Sequence, residues 1–141
     1  MKWLSRHIQK YIDEVLLIIK DKAEEIKSHH LKDNLLGHIN LMKAKEYLGR
    51  IRATLYASLH RKGFTIEDDT FFFIRYGLHK EYLTMFLQKV DPNLKRFFEE
   101  NYKGDEIVFV NKAIDRALTT GPGRRLDIEP EEWWGAVTQA I

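Results

Sequence analysis

The sequence contains no cysteine among its 141 residues. Without thiols the chain cannot form disulfides, and it cannot use Cys-ligated zinc, an iron–sulfur cluster or a thiol nucleophile. The absence of cysteine is typical of proteins in a reducing compartment. We therefore expect a cytoplasmic protein.

Long apolar runs are also missing. The longest one near the N-terminus is Val15–Ile19, and charged residues such as Arg6 and Lys10 precede it. A membrane-spanning helix needs about 20 apolar residues, and the core of a signal peptide also needs a longer run than this. We therefore expect no membrane partner and no targeting segment.

Net charge is small, at +2 with histidine neutral, and by itself it does not indicate a nucleic-acid-binding protein. Hydrophobic residues make up 44% of the chain and charged residues 31%, and the aromatic residues include eight Phe, six Tyr and three Trp. Disordered chains lack such aromatic content. The composition and length predict one soluble, folded domain.

Residues 3–27 predict a first helix, because apolar residues recur there at three-, four- and seven-residue spacings. Leu16, Leu17 and Ile18 widen the apolar arc, which indicates that the middle of this helix is covered on more than one side. The apolar stripe contains Leu4, Ile8, Ile12, Val15, Ile19 and Ile26.

A second helix is predicted from a cap at Asp33 to about Lys62, after an interruption at Ser28-His29-His30. Gly63 is a suitable residue to end it. Leu36 and His38 lie near its start, and its apolar stripe contains Leu41, Ala44, Leu48, Ile51, Leu55 and Leu59.

Helix start signals also divide the remaining chain. Thr65 followed by Asp68 predicts a capping box for an aromatic-rich third helix that Gly77 could kink or divide. Asp91-Pro92 predicts the start of a fourth helix, and Pro130 that of the last. Residues 106–110 could form a strand or a helix; we favour a helix from Asp105 to Leu118, because no partner strand is predicted elsewhere.

These elements predict an all-α helical bundle with two long antiparallel helices, an aromatic-rich third helix and shorter C-terminal helices. Residues 1–120 would form the bundle, and residues 121–128 a Gly/Pro/Arg loop. Residues 129–141 would form a C-terminal aromatic helix, which either belongs to the same domain or serves as a docking arm.

The adjacent Trp133 and Trp134 are the most distinctive feature of that last helix. Their side chains diverge by about 100° on a helix, so both cannot point into one narrow core stripe. With Val137 they could dock into the groove of a partner. Alternatively, the helix packs on its own domain and places Trp134 at the rim of the core.

A non-enzymatic regulatory or assembly role through protein–protein interaction is the function that we expect. No catalytic signature is present, and no catalytic residue or cofactor is predicted. Phe71, Phe72 and Phe73 in succession cannot all face one core, so we expect part of this segment, with Phe71 and Phe72 as candidates, to meet a partner or a second copy.

Nucleic-acid binding is the alternative function. The second helix carries cations off its apolar stripe, and Tyr47 and Tyr56 lie among them, so it could track phosphates and stack on bases. The same residues could instead be solvated or pair with the acids of the first helix. The candidate contacts are Lys43, Lys45, Arg50, Arg52 and Arg61, with Arg124 and Arg125 in the Gly/Pro/Arg loop.

A metal-binding bundle is a third hypothesis. Glu25, His29 and Asp33 are spaced four residues apart, and His30 is adjacent, so they are weak candidates for ligands. Because no second set of ligands is apparent and no Glu-x-x-His occurs, we predict no metal site.

Overall fold

The computed structural model describes the backbone of residues 2–24, 29–61 and 63–141, and the side chains of residues 6–22, 29–61 and 63–141. These parts of the chain contain six α-helices and no strand, which confirms the predicted all-α bundle. In the described residues no helix is both long and apolar enough to cross a membrane. The helices are α1 (Lys2–Glu24), α2 (His29–His60), α3 (Ile66–Lys89), α4 (Pro92–Asn101), α5 (Asp105–Thr120) and α6 (Pro130–Ala140).

The predicted start of the second helix is wrong, because α2 begins at His29 rather than after a cap at Asp33. Residues 29–32 contain no proline or glycine that would stop a helix, so α2 extends back through them. Asn34 Nδ2 lies 3.3 Å from His30 Nε2, one turn away on the same helix. The residues predicted at the ends of the first two helices, including Ile26, Ser28 and Lys62, lie outside the described part.

Helix caps follow the sequence signals closely. Thr65 accepts a hydrogen bond from the Asp68 amide and Asp68 accepts one from the Thr65 amide, which completes the predicted capping box. Asp91 caps α4 by accepting from the Leu94 amide. Helix α5 begins at Asp105 and contains residues 106–110, so the helical interpretation of that segment is confirmed. Gly77 does not divide α3.

Helix α2 is the centre of the bundle, and it packs along α3 and against α6. The main core contains its buried face, Phe64 from the turn before α3, Phe72, the inner face of α5, and Trp133 and Val137 of α6. Helix α1 contacts α2 through a smaller, separate cluster of Leu16 and Ile39. Leu16 lies near Ile39, while the N-terminal half of α1 lies near residues 50–54, so the two helices run antiparallel.

His79 is a buried titratable group between α2 and α3. Its Nδ1–H donates to the carbonyl of Ala44 at 2.7 Å. Burial lowers the pKa of His79 below 6.5, although the bond to Ala44 acts in the opposite direction. The unfolded chain therefore binds a proton more readily than the folded one.

We expect this histidine to make stability depend on pH. The contribution of His79 to the free energy of unfolding is complete above about pH 6.5. It is lost as the pH falls from the pKa of His79 in the unfolded chain to its lowered pKa in the folded chain. Urea unfolding at several pH values should show that the free energy of unfolding of H79Q depends less steeply on pH than that of the wild type. H38Q, at an exposed position, is the control. An unchanged slope in H79Q would contradict the assignment.

Candidate anion site between the first three helices

A pocket of about 580 Å³ opens between α1, α2 and α3. Cations outnumber carboxylates among its walls, with four of the former and two of the latter. Helices α2 and α3 contribute arginines from facing positions, while α1 contributes charges of both signs. The lining residues are Arg6, Gln9, Lys10, Asp13, Glu14, Leu17, Arg50, Ala53, Thr54 and Arg75.

Arg50 is held on the α2 side of the pocket by residues one turn earlier in the same helix. Its Nη2 lies 2.6 Å from Glu46 Oε1, and its Cζ lies 4.9 Å from the ring centroid of Tyr47. The side chain of Arg50 is 28% exposed. The carboxylate and the ring therefore fix one side of the guanidinium, and the residue still lines the pocket.

Arg75 enters the pocket from α3. Its Nη1 donates to Thr54 Oγ1 at 2.7 Å, and the Thr54 hydroxyl donates to the carbonyl of Arg50 at 2.9 Å. Burial lowers the pKa of Arg75, and the positive charge of Arg50 lowers it further. Within the described part of the chain, no carboxylate lies at ion-pair distance from this guanidinium. Arg75 is thus a half-buried cation beside a like charge.

The α1 wall carries charged residues that are partly paired with each other. Gln9 Nε2 donates to Asp13 Oδ1 at 2.9 Å, and Lys10 Nζ lies 3.9 Å from Glu14 Oε1. The Lys10–Glu14 pair is exposed and long, so it holds the lysine weakly. An anion in the pocket would therefore meet cations from all three helices.

The family comparison identifies the kind of protein to which this pocket belongs. Residues 9–141 match the family model NIT, described as nitrate and nitrite sensing. The chain belongs to the NIT family. No curated protein and no solved structure matches it significantly. Membership in the NIT family indicates a sensory, regulatory role.

Only part of the pocket of this NIT chain could be found by sequence reasoning. Arg50 is among the predicted candidates, whereas Arg6, Thr54 and Arg75 are not. A signal for Arg75 exists, because it is the one formally charged residue between Asp69 and Lys80, inside the most aromatic stretch of the NIT sequence. Such an isolated cation needs either a partner or a ligand.

Helix α6 packs on its own domain in this NIT chain. Trp133 is 0% exposed, and its Nε1–H donates to the carbonyl of Arg52 at 2.9 Å. Trp134 is 37% exposed, and its ring lies 4.1 Å from the guanidinium Cζ of Arg52. Arg52 Nη1 also donates to Thr138 Oγ1 at 3.0 Å. Arg52 therefore attaches α6 to α2.

The residues predicted to contact a partner are consequently divided between the interior and the surface. Trp133, Val137 and Phe72 are buried in the core, so they are not accessible to a partner in this structure. Phe71 and Trp134 remain partly exposed, and the guanidinium of Arg75 lies 5.2 Å from the Phe71 ring.

The candidate nucleic-acid contacts do not form one continuous face. Lys43, Arg50 and Arg61 lie on one side of α2 and Lys45 and Arg52 on the opposite side, because each residue turns the helix by about 100°. Lys43 lies 5.1 Å from the Tyr82 ring, and Arg61 pairs with Asp68. Exposed Arg124 and Arg125 lie in the loop after α5.

The histidine pair lies on the exposed first turn of α2, with exposed Asp33 one turn further along. Among the residues that the structure describes, no group of three or more His, Asp or Glu side chains is arranged to hold a metal ion. Glu25, the remaining candidate ligand, lies outside those residues.

Proposed function

We propose that the chain is a non-enzymatic sensor that binds a small monovalent oxyanion, nitrate or nitrite, between Arg50 and Arg75. The supporting observation is that two guanidinium groups from adjacent helices line one pocket, where burial and, to a smaller extent, the charge of Arg50 lower the pKa of Arg75. A monoanion between them would replace repulsion with two attractive contacts. The NIT family description supplies the class of ligand.

The geometry of the donors suits a planar oxyanion. A guanidinium presents its N–H groups in a flat fork, which matches two oxygens in one plane, as nitrate and nitrite both provide. The hydroxyl of Thr54 positions the Arg75 fork, because it accepts from Arg75 Nη1 and is itself held by donating to the backbone carbonyl of Arg50. The pocket is larger than either ion, so water would complete the coordination.

Anion binding would also strengthen the attachment of α1. Arg6 and Lys10 line the wall opposite the two arginines, and α1 otherwise contacts α2 through the small cluster around Leu16 and Ile39. A ligand that attracts both walls favours the arrangement in which they are close. The bound and empty states would then differ in the position of α1, which a protein partner could recognise.

Charge selectivity provides a test of this site. Asp13 and Glu14 lie on the same pocket wall as the α1 cations, so they offset part of the attraction that the cations exert on a second negative charge, while a divalent ion loses more hydration than a monovalent one on entering the pocket. Isothermal titration calorimetry at constant ionic strength should show nitrate or nitrite binding, with sulfate and phosphate weaker by at least about tenfold. D13N should reduce that difference.

Two results would contradict the proposal. One is the absence of heat for both nitrate and nitrite at millimolar concentration. The other is sulfate or phosphate binding as tightly as the monovalent ions, which would indicate a general anion site instead of a sensor for monovalent oxyanions.

A further inference from the structure

A second cavity, of about 150 Å³, lies between α2, α3 and the C-terminal end of α6, and α4 contributes one wall. Most of its walls are apolar, with Leu41 and Leu48 from α2, Leu83 from α3 and Phe98 from α4. Among the described residues that line it, Lys45 is the one with a formal charge at pH 7, and it is exposed. None of these residues lines the anion pocket between α1, α2 and α3, so the cavity is a separate site.

His79 supplies an unused hydrogen-bond acceptor to this cavity. The residue is 8% exposed, and its Nδ1–H already donates to the carbonyl of Ala44. Because a carbonyl oxygen can only accept, the proton of the neutral ring is on Nδ1 and Nε2 carries a lone pair. Within the described part of the chain Nε2 has no hydrogen-bond partner, and it is still accessible, because Arg52 Nε is the one polar side-chain atom there that is both unpartnered and completely enclosed. Since His79 lines the cavity, a ligand there can reach this acceptor.

We propose that this cavity binds a small uncharged phenol, with the phenol hydroxyl donating a hydrogen bond to His79 Nε2. A lone pair on a buried ring can bond only to a ligand that brings a donor. Nitrate, nitrite and carboxylates offer acceptors alone, so they cannot use it. A neutral hydroxyl supplies the donor without the cost of burying a charge.

The size and the walls of the cavity select a single aromatic ring. An apolar cavity of about 150 Å³ holds a molecule the size of benzene. Phe98 and Tyr102 stack on each other with ring centroids 4.9 Å apart, and both line the cavity, so they offer ring faces or edges to an aromatic ligand. Exposed Lys45 remains hydrated, and water screens its charge, so it adds little attraction for an anion.

Titrations of the full chain with phenol and toluene, followed by NMR at about pH 7.5, test the hydrogen bond. The two molecules have almost the same size, but toluene has a methyl group where phenol has its donor. In H79F the ratio of phenol affinity to toluene affinity should fall about three- to tenfold from its wild-type value, because one neutral hydrogen bond is lost. In the wild type the nitrogen-15 shift of His79 Nε2 should move more with phenol than with toluene. An unchanged ratio, or no binding of either molecule to the wild type at millimolar concentration, would overturn the proposal.

A variant that keeps His79 is also needed, because H79F loses the bond to the Ala44 carbonyl. Ala140 lines the cavity from α6, so A140F places a ring in the space of the ligand. We expect A140F to bind neither phenol nor toluene. The matched control is Q139F, at the exposed neighbouring position, which should bind both molecules as the wild type does. Phenol binding to A140F at wild-type affinity would contradict the site.

Two further ligands separate a free phenol from related chemistry. Benzoate has the same ring but no donor, so it should bind more weakly than phenol. Tighter binding of benzoate would assign the site to anions held by Lys45 and overturn the proposal. N-acetyltyrosinamide carries the phenol on a peptide backbone that a single-ring cavity leaves outside, so it should bind no more tightly than phenol. Tighter binding would replace the free phenol with a tyrosine side chain of a partner protein, and so overturn it.

Discussion

Nitrate binding should weaken by roughly ten- to a hundredfold in R75Q, because a hydrogen bond to a charged group contributes about 1.5–3 kcal/mol. Glutamine keeps the polar contact with Thr54 possible but removes the guanidinium fork and its charge. The empty R75Q chain should be at least as stable as the wild type, because a half-buried cation beside Arg50 is gone. Titration calorimetry and urea unfolding measure the two effects.

The combination of lost binding and retained stability distinguishes a ligand site from a structural role for Arg75. R75K should bind nitrate with intermediate affinity, since it keeps the charge without the planar fork. R96Q, at an exposed position on α4, should match the wild type in both measurements. Unchanged nitrate affinity in R75Q would exclude Arg75 as a ligand residue.

Replacing Trp133 with alanine should destabilise the domain by about 3–5 kcal/mol. The indole is completely buried in the main core, and its N–H donates to the Arg52 carbonyl, so W133A leaves a cavity and removes one hydrogen bond between α6 and α2. A domain of this size has a total stability of about 5–15 kcal/mol. Urea unfolding followed by circular dichroism should therefore show a large shift of the midpoint.

The neighbouring Trp134 is the matched control. W134A removes a half-exposed ring and its contact with the Arg52 guanidinium, so we expect a loss of about 1 kcal/mol or less. If the two variants are equally stable, α6 does not pack as the structure shows. It would then be available as the docking arm that the sequence also allows.

Local signals in the sequence determined the helices and most of their ends. The capping box at Thr65, the Asp91-Pro92 start and the proline at position 130 act within one turn of the chain, so their residues specify them without tertiary contacts. The helical form of residues 106–110 also followed from the absence of a predicted partner strand. The start of α2 was not predicted correctly from the sequence. Asp33 is a suitable cap, but the helix already begins one turn earlier, so no cap is needed there.

The positions of side chains relative to other helices were decided by the tertiary structure. Periodicity places Trp134 at the rim if α6 packs on its own domain, but only the tertiary structure shows that α6 packs there, with Trp133 in the core and bonded to the Arg52 carbonyl. Periodicity also shows that Arg50 lies off the apolar stripe of α2. It does not show that Arg75, 25 positions later in the sequence, lines the same pocket. Helical periodicity fixes directions about one axis, whereas a pocket depends on how several axes are placed, and that placement follows from burying the whole apolar surface at once.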